Sequence, residues 1–384
     1  MSIRRETSWT RFVAAGTALI ACTYGLVRFG FGLFLPVFRQ EFGLSGSVAG
    51  SIAAGSFTAY CLAAAIAYPL VTRGHARRCA ALAGLLAVVG SVGLSTASST
   101  GMLALWVLIA GSGAGLASPA LVALVDSGVP APHALRAQTV VNAGTGLGVL
   151  AAGPLALVLT GHWRAAWLVA AALTALSTLA VWRLAPTAGT RQSAQAHTDA
   201  PLRSLRRLSP AVAAAILVGA GSAAVWTFSR DLISSSGGLG SAASTGFWIL
   251  LGAAGVAGAL TGDAVDRWSV PRTWILLTVL LAASTALLGV LPGTLAVAFG
   301  GAAVFGGSYV ALSGVLIVWS RQLQPANPAG ATAILFIALA AGQALGSVGL
   351  GSIADAVGTP TAFAAAATAA IISCIGLLPH PVTT

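Results

Sequence analysis

The stretch FVAAGTALIACTYGLVRFGFGLFLPV, residues 12–37, decides the fold. It runs for 26 residues with a single charge, Arg28, and a helix of about 20 apolar residues is long enough to cross a bilayer. Apolar stretches of similar length recur eleven more times. We therefore predict an all-α membrane protein with twelve transmembrane helices, numbered spans 1 to 12. The predicted bounds are 12–37, 48–71, 79–97, 102–125, 137–159, 163–184, 210–232, 242–265, 273–291, 295–320, 329–354 and 360–378.

The composition agrees with a chain surrounded by lipid. Of its 384 residues, 57% are hydrophobic and only 7% are charged, whereas soluble domains carry about 25% charged residues. The net charge of +11 comes from arginines that lie beside apolar runs, so we predict a lipid bilayer as the surroundings and no nucleic-acid partner. The four cysteines lie inside apolar stretches without metal-ligand spacing. We therefore expect no metal site and no cofactor.

The distribution of arginines predicts the orientation. When the spans alternate in direction, fifteen of the nineteen arginines fall on one side, and only Arg39, Arg164 and Arg230 fall on or near the other. Basic residues accumulate on the cytoplasmic side of membrane proteins. We thus predict a multi-pass protein of the bacterial plasma (inner) membrane, a monomer with both termini in the cytoplasm.

The longest polar stretch, residues 185–208, divides the chain into two halves. We predict an N-terminal six-helix bundle over residues 1–184, a cytoplasmic linker over 185–208 and a C-terminal six-helix bundle over 209–384. The halves also echo each other, because GLASPA at 115–120 in span 4 corresponds to GGSYVA at 306–311 in span 10. Two related halves are a common plan among transporters.

Two loops resemble the major facilitator superfamily. In that family the loop between the second and third spans of each half reads roughly G-x-x-x-D-R-x-G-R-R. The segment GDAVDR at 262–267 matches its beginning, while TRGHARR at 72–78 keeps the basic end but has Thr72 where the acid belongs. The resemblance implies two pseudo-symmetric six-helix bundles and secondary transport by alternating access, and it implies no enzyme activity.

Two shorter motifs extend the resemblance. Span 5 carries Gly144, Gly148, Gly153 and Pro154, similar to the glycine-proline motif enriched in antiporters of the superfamily, and we assign these residues to helix packing. The start YGLVRFG at 24–30 looks like a little-characterised bacterial branch of the superfamily. Neither motif implies a substrate.

A charge inside a span is costly, which makes Arg28 a candidate for function. Tyr24 lies four residues earlier on the same helical face, and span 7 repeats the spacing with Trp226 and Arg230. The arrangement resembles the organophosphate–phosphate antiporter branch, which implies an anion held by arginines of spans 1 and 7. We predict that Arg28 and Arg230 bind substrate, with Tyr24 and Trp226 as walls. The alternative for Arg230 is a pair with Asp231 at the outer interface.

Other polar side chains inside the spans are weaker candidates for the same cavity. Hydrogen bonding between helices is the alternative role for each of them. They are Tyr60, Gln138, Asn142, Tyr309 and Gln343.

Charges at the cytoplasmic ends of the spans predict a gate. We expect Asp266 to pair with Arg136 or Arg321 when the cavity faces outward, and Asp126 to pair with Arg73 or Arg77. Replacing Asp266 by asparagine should then weaken transport. The full set of predicted gating residues is Arg73, Arg77, Arg78, Asp126, Arg136, Gly262, Asp266, Arg267 and Arg321.

The sequence carries no P-loop and no catalytic set, so we predict no enzyme. No Asp or Glu lies deep in a span, which leaves coupling through protons at Asp231 or Asp126, exchange for a counter-anion, or facilitated passage. We predict a secondary active transporter for a small organic solute, with anions among the candidates. The alternatives are an efflux antiporter for drugs or secondary metabolites and, from another class, a non-transporting membrane sensor or scaffold.

Overall fold

Helices form almost all of the protein in the computed structural model, which describes residues 2–159, 161–186 and 202–375. No strand occurs within these ranges. The α-helices, in chain order, are α1 Ser2–Ile20, α2 Gly30–Phe42, α3 Gly46–Leu70, α4 Ala76–Ser95, α5 Thr100–Gly128, α6 Ala131–Val158, α7 Trp163–Leu184, α8 Leu202–Asp231, α9 Ser241–Gly255, α10 Thr261–Trp268, α11 Val270–Val290, α12 Leu295–Leu323, α13 Pro328–Val357 and α14 Thr359–Ile372.

These helices form the twelve predicted spans. Span 1 consists of α1 and α2 joined by a π-helical segment, Ala21–Arg28, and span 8 consists of α9 and α10 joined by a 3₁₀ segment, Val256–Leu260. The other spans are single helices: α3 to α7 are spans 2 to 6, α8 is span 7, and α11 to α14 are spans 9 to 12. In the described part of the chain, ten helices are long and apolar enough to cross a membrane, one of which holds both spans 2 and 3, and α14 is shorter.

The turn between spans 2 and 3 is tighter than predicted. The sequence predicts a loop at residues 72–78, but helical structure continues through the π-helical segment Val71–His75. The direction changes at Gly74, whose φ of 83° lies in the left-handed region. Glycine adopts that region without a Cβ penalty. The connection between spans 2 and 3 is therefore a tight turn at Gly74.

The two halves pack against each other along several pairs of spans, most extensively along three. Span 1 contacts span 7, span 2 contacts span 11 and span 5 contacts span 8. We call the end of the molecule that carries Gly74, Asp126 and Arg321 the basic face. The end that carries the turns at Gly43 and Gly238 is the opposite face. The boundaries of the two bundles stay a prediction, because residues 187–201 of the linker lie outside the described ranges.

Candidate functional site

Arg28 is buried between the two halves of the molecule, with 6% of its surface exposed. Its guanidinium carbon faces aromatic rings of spans 1 and 2. On span 2 it lies 4.2 Å from the centroid of the Tyr60 ring and 4.7 Å from that of the Phe57 ring. The rings of Tyr24 and Phe29 lie at 5.3 and 5.4 Å. Ring faces attract a cation, and more strongly where water is excluded. The aromatic residues therefore form a cage around the charge.

The hydrogen bonds of Arg28 go to neutral groups. Its Nη2 donates to Oε1 of Gln343 in span 11 at 3.1 Å, and Gln343 Nε2 donates to the Tyr309 hydroxyl at 3.0 Å. Arg28 Nε has no partner among the described residues. No carboxylate within the described ranges forms an ion pair with Arg28. The positive charge of Arg28 is therefore buried among neutral groups, and no negative charge among the described residues compensates it.

Local backbone geometry places Arg28 in this position. The amide of Phe29 donates to the carbonyl of Tyr24 at 2.9 Å, the i→i+5 bond of a π-helix, which is frequent at functional sites. Gly25 lets span 1 approach span 5 closely, because a methyl group there would lie 2.4 Å from the Thr145 carbonyl oxygen. The widened turn and the close approach aim Arg28 at the seam between the bundles.

A small cavity adjoins Arg28 at this seam. Its volume of about 20 Å³ is close to the space that one ordered water needs. A second cavity of similar size extends from Tyr24 towards Gln138 and the basic face. The first cavity is lined by both halves of the molecule: Tyr24, Arg28, Phe29, Tyr60, Asn142, Thr145, Tyr309, Ser313, Phe336, Leu339, Ala340 and Gln343.

Five of the predicted substrate-binding residues line this first cavity together with Arg28. Asn142 also bridges the bundles, because its Nδ2 donates to Ser313 Oγ at 2.9 Å. Gln138 lines the second cavity instead, and its Nε2 donates to the Val122 carbonyl at 2.8 Å. The five residues are Tyr24, Tyr60, Asn142, Tyr309 and Gln343.

The predicted arginine pair does not share the cavity. Arg230 is 6% exposed, donates to the carbonyl of Leu33 and to Thr245 Oγ1, and lies away from the lining of either cavity. The alternative, a pair with Asp231, is wrong too, because Asp231 is paired with Arg39. Arg230 reaches across the seam to span 1 outside both cavities, so the shared spacing of an aromatic residue and an arginine does not bring the two guanidinium groups into one site.

Trp226 also lies outside the lining of the cavity. Its ring stacks on Phe29, with centroids 3.9 Å apart, and meets Tyr309 edge to face at 5.1 Å. Because Phe29 lines the cavity and Trp226 covers Phe29, the tryptophan closes the site on the side of the opposite face. Trp226 therefore supports a lining residue and is not itself the wall of the cavity that the sequence predicts.

An ion pair joins the bundles at the basic face, but its partners differ from those predicted for a gate. Asp126 Oδ1 accepts from Arg321 Nη2 at 2.9 Å and joins the bundles at the basic face, so the expected pairs of Asp126 with Arg73 or Arg77 are wrong. Asp266 is exposed and forms no ion pair with any residue that the structure describes. Gly262 lies in α10. The predicted basic gating residues that are exposed are Arg73, Arg78, Arg136 and Arg267.

Arg77 has a role inside one bundle. It donates to the carbonyl of Trp182 in span 6, and its guanidinium carbon lies 4.3 Å from the Trp182 ring centroid. These contacts hold spans 3 and 6 together at the basic face. They do not cross between the halves.

The glycines of span 5 form close contacts. A methyl group at Gly144 would lie 2.4 Å from the Thr17 carbonyl oxygen, and one at Gly148 would lie 1.8 Å from that of Ala21. Gly153 faces the side chain of Ile249 in span 8, while Pro154 is exposed. Small residues allow such close helix approach in membranes.

Several residues around Arg28 and its cavity were not predicted, most of them because they are apolar. Phe57 lies one helical turn before Tyr60, an i, i+3 spacing that places both rings on one face. Phe29 follows Arg28 directly. Ser313 and Phe336 carry no comparable signal in the sequence, since serines and phenylalanines occur in many spans.

Comparisons with known proteins agree with this architecture. Residues 20–378 match the family described as uncharacterised MFS-type transporter YbfB. No curated protein sequence matches the chain. Solved structures share the fold at low identity: a D-xylose-proton symporter has 14% identity and a TM-score of 0.76, with 97% of this chain and 98% of that chain covered.

Two further solved structures show the same arrangement. A mutant of the nucleoside transporter NupG has 13% identity and a TM-score of 0.74, covering 95% of this chain and 98% of that one. A bacterial homologue of the human lysosomal transporter Spinster has 14% identity and a TM-score of 0.74, with 96% of both chains covered. The chain is thus a transporter and not an enzyme, and it belongs to the YbfB family of the major facilitator superfamily.

Proposed function

We propose that this protein is a secondary transporter that moves a small organic anion by alternating access, with Arg28 as the residue that binds the anion. The observation that carries the proposal is the buried guanidinium without a carboxylate partner among the described residues. Burying an unpaired charge is costly in a membrane protein and marks ion or substrate pathways. An anionic solute would supply the missing countercharge.

The position of the site supports alternating access. Arg28 in span 1 and Gln343 in span 11 belong to different bundles, and their hydrogen bond crosses the seam. A solute that binds Arg28 must compete with this bond, so binding and the relative position of the bundles are linked. Movement of one bundle against the other around a central site is the usual mode of such folds.

The basic face is proposed to be the cytoplasmic one, with the protein in a bacterial plasma membrane. This follows from the excess of arginines at that face. The described acids lie at or near the ends of spans, and Asp126 and Asp231 each form an ion pair between the bundles. Coupling to protons at these acids and exchange for a second anion both fit this arrangement.

Export of the solute is a second candidate for the direction of transport. The Gly153-Pro154 element, similar to that of antiporters, favours it, and Gly153 packs on Ile249 in the pairing of spans 5 and 8. Uptake into right-side-out vesicles, compared with uptake into inverted vesicles, separates import from export.

Counterflow in liposomes tests the proposal. Purified protein is reconstituted with a panel of labelled carboxylates, phosphate monoesters and neutral solutes inside, and exchange is measured. Arg28→Gln should lower the apparent affinity for an anionic solute at least tenfold, and Arg28→Lys should retain part of it. Arg164→Gln, at an exposed arginine of the opposite face, is the matched control. Unchanged affinity in both Arg28 variants would reject the anion site, and no exchange of any solute would favour a scaffold.

A further inference from the structure

We infer that the preferred solute is a monovalent carboxylate with a flat apolar body, such as an aromatic monocarboxylate. The inference rests on the proposed function and specifies the substrate class for the same site. It combines three properties of the lining around Arg28: its charge, its free donors and its ring faces.

The charge of the lining favours one negative charge on the solute. Arg28 is its one ionised side chain, and no acid contributes to either cavity within the described part of the chain. The other buried arginine, Arg230, also has an Nε without a partner among the described residues, but it donates to the Leu33 carbonyl and to Thr245 and lines neither cavity. A monoanion would neutralise the site, whereas the second charge of a dianion would be buried without a counterion.

The donors of Arg28 fit a carboxylate. Nε and Nη2 lie on the same edge of a guanidinium, and this edge binds the two oxygens of a carboxylate side by side. In Arg28 the Nε has no partner, and Nη2 is held by the neutral oxygen of Gln343 at 3.1 Å. A carboxylate on this edge would satisfy Nε and replace Gln343, which would keep its bond to Tyr309 at 3.0 Å.

The walls of the site are largely ring faces, on which a flat solute would stack once the bundles separate, because the cavity of about 20 Å³ in this conformation holds no more than a water. Four aromatic rings lie within 5.4 Å of the Arg28 guanidinium carbon, and Phe336, Leu339 and Ala340 close the cavity from the other bundle. Aromatic pairs stack at centroid separations of 4.5–7 Å. The polar lining groups are largely paired with one another, as in the bond from Asn142 to Ser313. A polyol would therefore find few free partners here.

The experiment is a binding competition with matched probes on the full-length protein in detergent. Benzoate is the test ligand, benzamide is its neutral isostere, phthalate adds a second carboxylate, and acetate lacks the ring. Binding is followed by the intrinsic fluorescence of tryptophans such as Trp226, which stacks on the cavity residue Phe29. We expect benzoate to bind at least tenfold more tightly than each of the other three.

The variants separate this inference from the proposed function. Arg28→Gln should remove the advantage of benzoate over benzamide, Arg28→Lys should keep part of it, and Arg164→Gln should leave it unchanged. Tighter binding of phthalate or acetate that still depends on Arg28 would overturn the substrate class and leave the anion site standing. Benzoate that binds no better than benzamide to the wild-type protein would overturn the inference. Equal benzoate binding by wild type and both Arg28 variants would overturn both.

Discussion

The seam between the two bundles is built differently at the two faces of the molecule. Towards the opposite face, backbone meets backbone: a methyl group at Gly32 would lie 1.9 Å from the Trp226 carbonyl oxygen, and one at Gly50 would lie 2.2 Å from that of Ser347. Towards the basic face, side chains bridge the seam. Asp126 pairs with Arg321 at 2.9 Å, and the Asn327 amide donates to the Tyr68 hydroxyl at 3.0 Å.

Charges reinforce the closure at the opposite face. Arg39 pairs with Asp231, and Arg230 donates to the carbonyl of Leu33. The backbone amides of Gly46 and Ser47 donate to the carboxylate of Asp355 at 2.8 and 2.7 Å, which joins spans 2 and 11. Each of these contacts crosses from one bundle to the other.

The difference shows which face opens more readily. Side chains that bridge a partly exposed gap can rotate apart while the helices move little, and exposed ion pairs contribute about 0–1 kcal/mol. Backbone contacts through glycine can separate only if whole helices move. The second cavity also extends from the Arg28 site towards the basic face. We conclude that this conformation is closed firmly at the opposite face and lightly at the basic face.

The largest effect is expected from blocking the backbone contact at the opposite face. A methyl group at Gly351 would lie 2.6 Å from the Gly46 carbonyl oxygen, whereas no atom lies within 4 Å of one at Gly349 on the same helix. Gly351→Leu should therefore hold the opposite face open and lower uptake at least tenfold. Uptake in liposomes of the solute found by counterflow measures the loss.

Gly349→Leu is the matched control and should retain uptake within about twofold. In a cysteine-free background, spin labels at the exposed residues Ser98 and Thr294 of the two bundles should move apart in the Gly351 variant only. An unchanged distance distribution together with full uptake would show that the backbone contact does not control closure.

The second effect concerns the ion pair at the opposite face. Asp231 is 8% exposed, and removing its partner leaves a buried charge, which is more costly than losing a surface pair. Arg39→Gln should favour opening at this face and lower uptake about five- to tenfold. The exchange Arg39→Asp with Asp231→Arg should restore part of the uptake, and a double variant no better than Arg39→Gln alone would argue against a direct pair.

The sequence predicts most of this fold because the bilayer imposes it. A long apolar stretch that crosses lipid has to satisfy its backbone hydrogen bonds internally and therefore forms a helix, so the twelve spans follow from the lengths of the apolar stretches. The two halves follow from the polar stretch at residues 185–208. Arg28 could be found for the same reason, since it is the single charge in residues 12–37. The π-helical turn that aims it at the seam has no comparable signal in the sequence.

The ionic partners could not be predicted in the same way. Asp126 and Arg321 are 195 residues apart, and the basic face offers many arginines for one acid, so the choice depends on how the bundles are docked. Spans 1 and 7 each carry an arginine four residues after an aromatic residue, and this shared spacing predicts that Arg28 and Arg230 act together. In the structure the two side chains have different surroundings. Contacts between side chains of different spans can therefore be identified only from the structure, whereas the spans themselves can be predicted from the sequence.

The third effect is smaller and concerns the basic face. The side chains of Arg321 and Asp126 are 29% and 21% exposed, so water screens part of their attraction. Asp126→Asn should change uptake by about two- to threefold, and Arg321→Gln should do the same. A double variant with the effect of either single change would identify them as one contact, and additive effects would show that each acts elsewhere.

The smallest effect is expected at Asp266, and it tests the comparison of the two faces most directly. The family-like loop predicts that Asp266→Asn weakens transport, but this carboxylate is exposed and without an ion pair among the described residues, since Arg321 is bound to Asp126. We therefore expect uptake within about twofold of the wild type, below the effect of Asp126→Asn. A larger loss in the Asp266 variant would mean that the loop closes the basic face when the opposite face opens. The light closure seen at the basic face would then belong to one state of the cycle only.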